Sequence, residues 1–211
     1  MMAGYWISTQ YFFRGELLNK MDKEKDTKVG KNQIISGRCE ILTEIINSLK
    51  DIYIKGNENQ KAFIETIIGV AIWYIPKPKN FWTGYISIEA IKSFLDKTNK
   101  KPTLSEEHNI PRKSATEKLL MAKGELTAEY VEKQYLSKFC KLHYVTSEKN
   151  KRAIKFQKTG VYKNSKKVYK ETNIELIKIN TEQLKQIKQR NEKIIIELLN
   201  KYGINKLQEN R

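Results

Sequence analysis

Apolar residues recur along this chain with two different periods, and the change of period divides it. Between residues 34 and 54, Ile35, Cys39, Leu42, Ile45, Ile46, Leu49 and Ile52 return every three or four positions, the stripe of an amphipathic helix. The polar stretch GNENQ at 56–60 predicts a turn. A second helix is expected from Lys61 to about Tyr74, with Phe63, Ile64, Ile67, Ile68 and Ala71 inward, and Pro76 and Pro78 end it. After FWTGY, Ser87 is placed to cap a third helix whose apolar face is Ile88, Ile91, Phe94 and Leu95. Upstream, the cluster from Tyr5 to Phe13 fits a short strand or a helix start, and the charged run at 21–33 reads as a loop. Residues 1–100 are therefore expected to be mainly helical.

The second half changes character. A strand-like piece, TLSEEHNIP, spans 103–111, followed by an amphipathic helical stretch over 115–138. The string FCKLHYVT at 139–146 is β-rich, and SEKNKRAIKF then opens a helix capped by Thr146 or Ser147. Residues 157–170, QKTGVYKNSKKVYK, are very basic and fit a hairpin or a mobile loop. NIELIKI at 173–179 alternates as a strand does, and the leucines and isoleucines of 181–202 predict one long helix. The fold class is α+β, in three parts: a mainly helical region at 1–100, a mixed unit at 101–180 containing the basic hairpin, and a C-terminal helix at 181–211.

Charge narrows the possible partners. Forty Lys and Arg face twenty-four Asp and Glu, a formal net charge of +16 in 211 residues. An AT-rich genome would enrich lysine, isoleucine and asparagine, but it does not explain the shortage of acids. A field of this sign attracts polyanions, and phosphate backbones are the commonest of them. Arg112, Lys113, Lys149, Lys151, Arg152, Lys163, Lys166 and Lys167 are the candidate phosphate contacts, interleaved in the basic stretch with Tyr162 and Tyr169. Trp73, Trp82 and Tyr85 lie among apolar neighbours and read as core. Cys39 and Cys140 are far apart and form no CxxC pair, which excludes a four-cysteine zinc site within one chain and fits a reduced cytoplasmic setting. No apolar run is long enough for a membrane span, and the first residues lack the pattern of a signal peptide.

The candidate chemistry lies at the first of two histidines. His108 sits in Glu106-Glu107-His108-Asn109-Ile110-Pro111, where a carboxylate can hold a hard cation and the neighbouring imidazole can take a proton from water. The other histidine, His143, lies on the second predicted strand and reads as a packing residue. No P-loop, GxGxxG or GxSxG is present, and Glu175-Leu176-Ile177-Lys178 has one residue too many for the ExK of the PD-(D/E)xK pattern.

EEHNIP, followed by a strand and by TSEKNKR at a helix start, resembles the HNH, or ββα-metal, nuclease motif. The resemblance covers residues 103–155. It implies a ββα-metal unit with a long helical insertion between its two strands. It also implies Glu107 and Asn150 as ligands of one divalent cation, Mg²⁺ or Mn²⁺, and His108 as general base. The chain departs from the family in the long gap before Asn150 and in lacking a clear counterpart of the asparagine that orients the histidine. The implied activity is metal-dependent endonuclease hydrolysis of double-stranded DNA. By analogy of size it is that of a type II restriction endonuclease, acting as a homodimer through its terminal helix, with the N-terminal region reading sequence. Three rivals remain open at this stage: a non-catalytic nucleic-acid-binding protein, a metal-independent enzyme that excises DNA bases, and a protein that binds an acidic protein partner.

Overall fold

The computed structural model describes residues 30–100, 102–157 and 165–204. Helices α1 (Lys31–Lys55) and α2 (Glu58–Tyr74) come first. The turn between them is closed by Asn57, whose side chain accepts from Gln60 N at 3.0 Å while its own N–H donates to Gln60 Oε1 at 2.9 Å. Pro76 cannot supply the next amide, and α2 stops before it. Ile35, Cys39, Leu42 and Ile46 face Ile64, Ile68 and Ile72 in a core that α4 and α5, below, complete. Phe63 and Ile67, expected inward, are 68% and 36% exposed. One residue turns a helix by about 100°, so the narrow stripe of Ile64, Ile68 and Ile72 leaves them outside.

β1 (Trp82–Ser87) is a strand inside the region expected to be helical. Its alternation is hidden in the sequence because Gly84, at φ +85°, shifts the register between Trp82 and Ile86. Ser87 then caps α3 (Ile88–Lys92), accepting from Ala90 N at 3.1 Å as its position predicts. β2 (Ser105–His108) follows.

The single helix expected over 115–138 is in fact α4 (Arg112–Leu120), α5 (Ala128–Gln134) and a π-helical turn (Tyr135–Phe139). The break contains Gly124 at φ +68°, and Thr127 starts α5 by accepting from Tyr130 N. β3 (Leu142–Val145) leads into α6 (Ser147–Gln157), whose cap is Thr146 rather than Ser147: its hydroxyl accepts from Lys149 N at 3.2 Å. The basic hairpin does not hold over Ser165–Glu171, which is helix α7; residues 158–164 lie outside the described residues. β4 (Leu176–Lys178) is followed by α8 (Thr181–Lys188) and α9 (Glu192–Lys201). The single C-terminal helix is thus two, broken where Arg190 adopts φ +57° and Asn191 caps α9 by accepting from Ile194 N.

The four strands form one sheet in the order β2-β3-β1-β4. β2 runs antiparallel to β3, β3 parallel to β1, and β1 antiparallel to β4. On one face Ile86, Tyr144 and Ile177 pack against Leu184, Ile187, Ile195 and Leu198, so the apolar side of α8 and α9 is used within the chain rather than as the expected dimer contact. On the other face Val145 meets Ala153 of α6 and Val168 and Tyr169 of α7. The insertion between β2 and β3 folds away from the sheet onto α1 and α2. The two strands can therefore pair directly despite the long stretch of chain between them.

Candidate active site

β2 is an edge strand, and this decides how its side chains are presented. Neighbouring residues on a strand point to opposite faces. Glu107 stands opposite His143 on the face covered by α6, and His108 stands opposite Leu142 on the other. The free edge lets both reach one cavity of about 290 Å³, lined by Trp73, Glu106, Glu107, His108, Pro111, Arg112, Lys113, Ser114, Asn150, Ile154 and Gln157. Glu107 and His108 come from the strand, Arg112 and Lys113 from the first turn of α4, and Asn150 and Gln157 from α6.

Glu107 is buried, and the Gln157 side-chain amide donates to its Oε1 at 2.7 Å. Burial pushes its carboxyl up to about 7, against the opposing pull of the Gln157 bond and of the Arg112 charge. His108 is held by its Nδ1, which lies 3.4 Å from the Phe139 carbonyl oxygen of the π-helical turn. A ring that donates there carries its lone pair on Nε2. Burial is the main cause that lowers His108 to about 4, so the ring is neutral at pH 7. Asn150 Oδ1 is buried without a hydrogen-bond partner among the described residues.

An unpaired buried oxygen and a desolvated carboxylate are the donors that a hard divalent cation accepts. The residues present therefore fit Mg²⁺ or Mn²⁺, with Glu107 and Asn150 supplying protein oxygens. No cluster of three or more His, Cys, Asp or Glu side chains suited to a metal occurs among the described residues. Such a cation would take its other ligands from water and from substrate oxygens.

The proposed phosphate contacts separate into groups. Arg112 and Lys113 line the cavity; the Arg112 guanidinium carbon lies 4.6 Å from the Trp73 ring centroid, and Lys113 pairs with Glu65 at 3.6 Å. Lys149, by contrast, turns inward: its Nζ reaches Glu89 at 3.0 Å and the Asn173 carbonyl at 2.5 Å, tying α6 to its neighbours. Arg152 pairs with Glu148 one turn earlier on the exposed side of α6, and Lys151 is exposed. Lys166 and Lys167 stand exposed on α7, while Lys163 lies outside the described residues.

The structure adds three groups that the sequence did not single out: Trp73, Gln157 and the Phe139 carbonyl. Trp73 is 54% exposed and Tyr85 36%, so neither is the core residue expected; Trp82 is half-buried. His143 is buried, with Nδ1 2.6 Å from Thr83 Oγ1 and Nε2 3.1 Å from Asn109 Oδ1, as suits a packing residue.

Fold and site together define a mixed α+β protein with a small four-stranded sheet and a cavity at the sheet's edge. No family model, no curated protein and no solved structure matches the chain. Among the described residues no helix is long and apolar enough to cross a membrane.

Proposed function

We propose that this protein is a metal-dependent endonuclease of the HNH type that hydrolyses phosphodiester bonds in double-stranded DNA, working as a restriction endonuclease. The observation that carries the reading is the meeting of Glu107, His108 and Asn150 in one cavity, where Asn150 Oδ1 has no partner among the described residues and the Glu107 carboxylate is buried. Glu107 and His108 come from β2 and Asn150 from α6, the helix that follows β2's antiparallel partner β3, in keeping with the strand-strand-helix order of the motif.

Glu107 and Asn150 would hold the divalent cation, Mg²⁺ or Mn²⁺. When bound, it would neutralise charge on the scissile phosphate and on the departing oxygen. His108 takes the proton from the attacking water: Phe139 fixes the ring through Nδ1, leaving Nε2 as the acceptor. An arriving phosphate brings negative charge that favours the protonated ring and offsets its burial. Arg112 grips a non-bridging phosphate oxygen, and the exposed Lys151, Arg152, Lys166 and Lys167 carry the flanking backbone. In the same reading the enzyme acts in the cytoplasm and pairs with a second copy to read a two-fold site.

The test is digestion of supercoiled plasmid with Mg²⁺, with Mn²⁺ and with EDTA. Nicking is expected only with metal, and His108→Ala is expected to abolish it while leaving DNA binding nearly intact. Cleavage by the variant at the wild-type rate would overturn the mechanism. Abasic sites formed in EDTA and revealed by alkali would favour the base-excising alternative. Metal-independent binding without any cleavage would favour a non-catalytic DNA-binding protein.

A further inference from the structure

The indole of Trp73 touches two side chains of the site at once. Its ring centroid lies 5.2 Å from that of His108 at an interplanar angle of 51°, and the Arg112 guanidinium carbon sits over it at 4.6 Å. Trp73 belongs to the last turn of α2, where Pro76 halts the helix, whereas His108 ends β2 and Arg112 begins α4. Two residues whose elements are joined only by the short loop 109–111 are thus fixed against a third, distant element. The indole is itself half out of the protein, 54% exposed, so its burial contributes little to the core. A large aromatic surface left open beside a cavity, and carrying a cation on it, is better explained by what it holds.

The two contacts constrain different motions. The Phe139 carbonyl pins one nitrogen of His108, a single bond about which the ring can still tilt, and the indole limits that tilt. A guanidinium is planar and weakly hydrated, so it stacks on an aromatic face while its N–H groups stay free to meet phosphate. No carboxylate partner holds Arg112 among the described ion pairs. The indole thus stacks this exposed charge at the rim of the cavity.

We propose that Trp73 is a positioning residue that sets the His108 imidazole and the Arg112 guanidinium in a fixed relation across the cavity, coupling the proton acceptor to the phosphate grip. The inference rests on the nuclease reading above. It assigns to the N-terminal helical region a part in catalysis, not only in recognition. It also states what the tryptophan supplies: a flat π face, which phenylalanine partly provides and leucine does not.

The experiment measures kcat and KM on a short duplex with Mn²⁺ for wild type, Trp73→Phe, Trp73→Leu, Trp73→Ala, Arg112→Ala, the Trp73→Ala/Arg112→Ala double variant and His108→Ala. Trp73→Phe is expected within about threefold of wild type in both constants. Trp73→Leu and Trp73→Ala are expected to lose roughly tenfold to a hundredfold in kcat, since misplacing a reacting group has effects of that size. They should also raise KM, as Arg112→Ala does. The double variant should raise KM little beyond either single one, because both remove the same grip. Trp73→Leu at the wild-type kcat and KM, or additive KM effects in the double variant, would overturn the inference while His108→Ala remains inactive. Should His108→Ala cut as wild type does, the nuclease reading fails and this inference goes with it.

Discussion

The two histidines stand on neighbouring strands, one pair apart in register, and burial lowers both to about 4. Their surroundings nevertheless give them opposite roles. His143 has both ring nitrogens engaged, Nδ1 with Thr83 Oγ1 and Nε2 with Asn109 Oδ1, with Tyr85 and Tyr169 edge-on around it. His108 has one nitrogen turned to a backbone carbonyl, and the ring lines the cavity. A depressed pKa therefore does not by itself single out the base proposed above. What sets His108 apart is that its Nε2 has no partner among the described residues and that the ring lines a cavity. Trp73 sharpens the contrast, since it gives His108 an orienting surface with no hydrogen bond of its own.

The sharpest way to break this comparison is to remove each ring in turn. His108→Ala is expected to lower the metal-dependent cleavage rate by roughly 10²- to 10⁴-fold, the range for a lost general base, with little change in melting temperature. His143→Ala should do the reverse. It strands the half-buried Asn109 side chain and leaves Thr83 only its bonds to Leu142 and Tyr85, and an unsatisfied group costs about 1–3 kcal/mol, while the rate per folded molecule stays within a few-fold. Thermal melts and initial rates on the same preparations decide it. A stable His143 variant that has lost its activity would erase the distinction drawn here.

Much of the histidine contrast was already legible in the sequence, and the exceptions have physical causes. Glu107, His108 and Asn150 were named from a strand motif and a helix start, and the fold brings all three to one cavity formed by β2, the start of α4 and α6. The caps Ser87 and Thr146 were legible because each acts on residues two or three further along. Trp73 was not: its partners lie far along the chain, and an aromatic residue among isoleucines carries no mark of exposure. The group that orients His108 was sought among asparagine side chains and is instead a main-chain carbonyl, which every residue possesses. The break before α9 was hidden because a non-glycine residue, Arg190, takes the left-handed conformation.

The acidic side of the site offers a second, smaller contrast. Burial raises Glu107 to about 7 in the folded chain from an ordinary value of 4.5. The stability tied to its protonated form is fully present below 4.5 and is lost as pH rises through 7. At pH 8 in EDTA, Glu107→Gln should therefore be more stable than wild type, by up to about 3 kcal/mol for a shift of this size. It should keep the contact with Gln157 and lose cleavage. Adding Mn²⁺ should raise the melting temperature of wild type and leave the variant nearly unmoved. Equal stabilisation of both by the metal would remove Glu107 from the ligand set.

His143 titrates in the opposite sense. Its folded value, about 4, lies below the ordinary 6.5, so its contribution is complete above 6.5 and is lost as pH falls through 4. Linkage limits this loss to about 3 kcal/mol. His108 adds a loss of the same sign and Glu107 one of the opposite sign, so the wild-type profile alone does not isolate His143. The difference between wild type and His143→Gln does. Urea unfolding at intervals from pH 7 to pH 4 should show the two profiles converging as the solution is acidified. Parallel profiles would mean that the ring titrates alike in the folded and unfolded chains, so that burial does not shift it.

The smallest effect tests how Asn150 is held. Thr146 closes β3 and starts α6 with its hydroxyl on Lys149 N, and its carbonyl accepts from Asn150 N at 2.9 Å. Thr146→Ala should cost about 1 kcal/mol, the usual loss for a helix cap, and fray the turn that carries Asn150. Lys149, bonded to Glu89 and Asn173, limits the fraying from the other side of the same turn. The rate should accordingly fall by no more than about tenfold at saturating Mn²⁺, because 1 kcal/mol corresponds to roughly fivefold. The metal concentration giving half-maximal rate should rise by a similar factor, since the loosened turn must be ordered again when the cation binds. Thr146→Ser, which keeps the hydroxyl, should restore both. A normal metal requirement in Thr146→Ala would place the cation's grip elsewhere than on this turn, and so separate Asn150 from the chemistry proposed for His108.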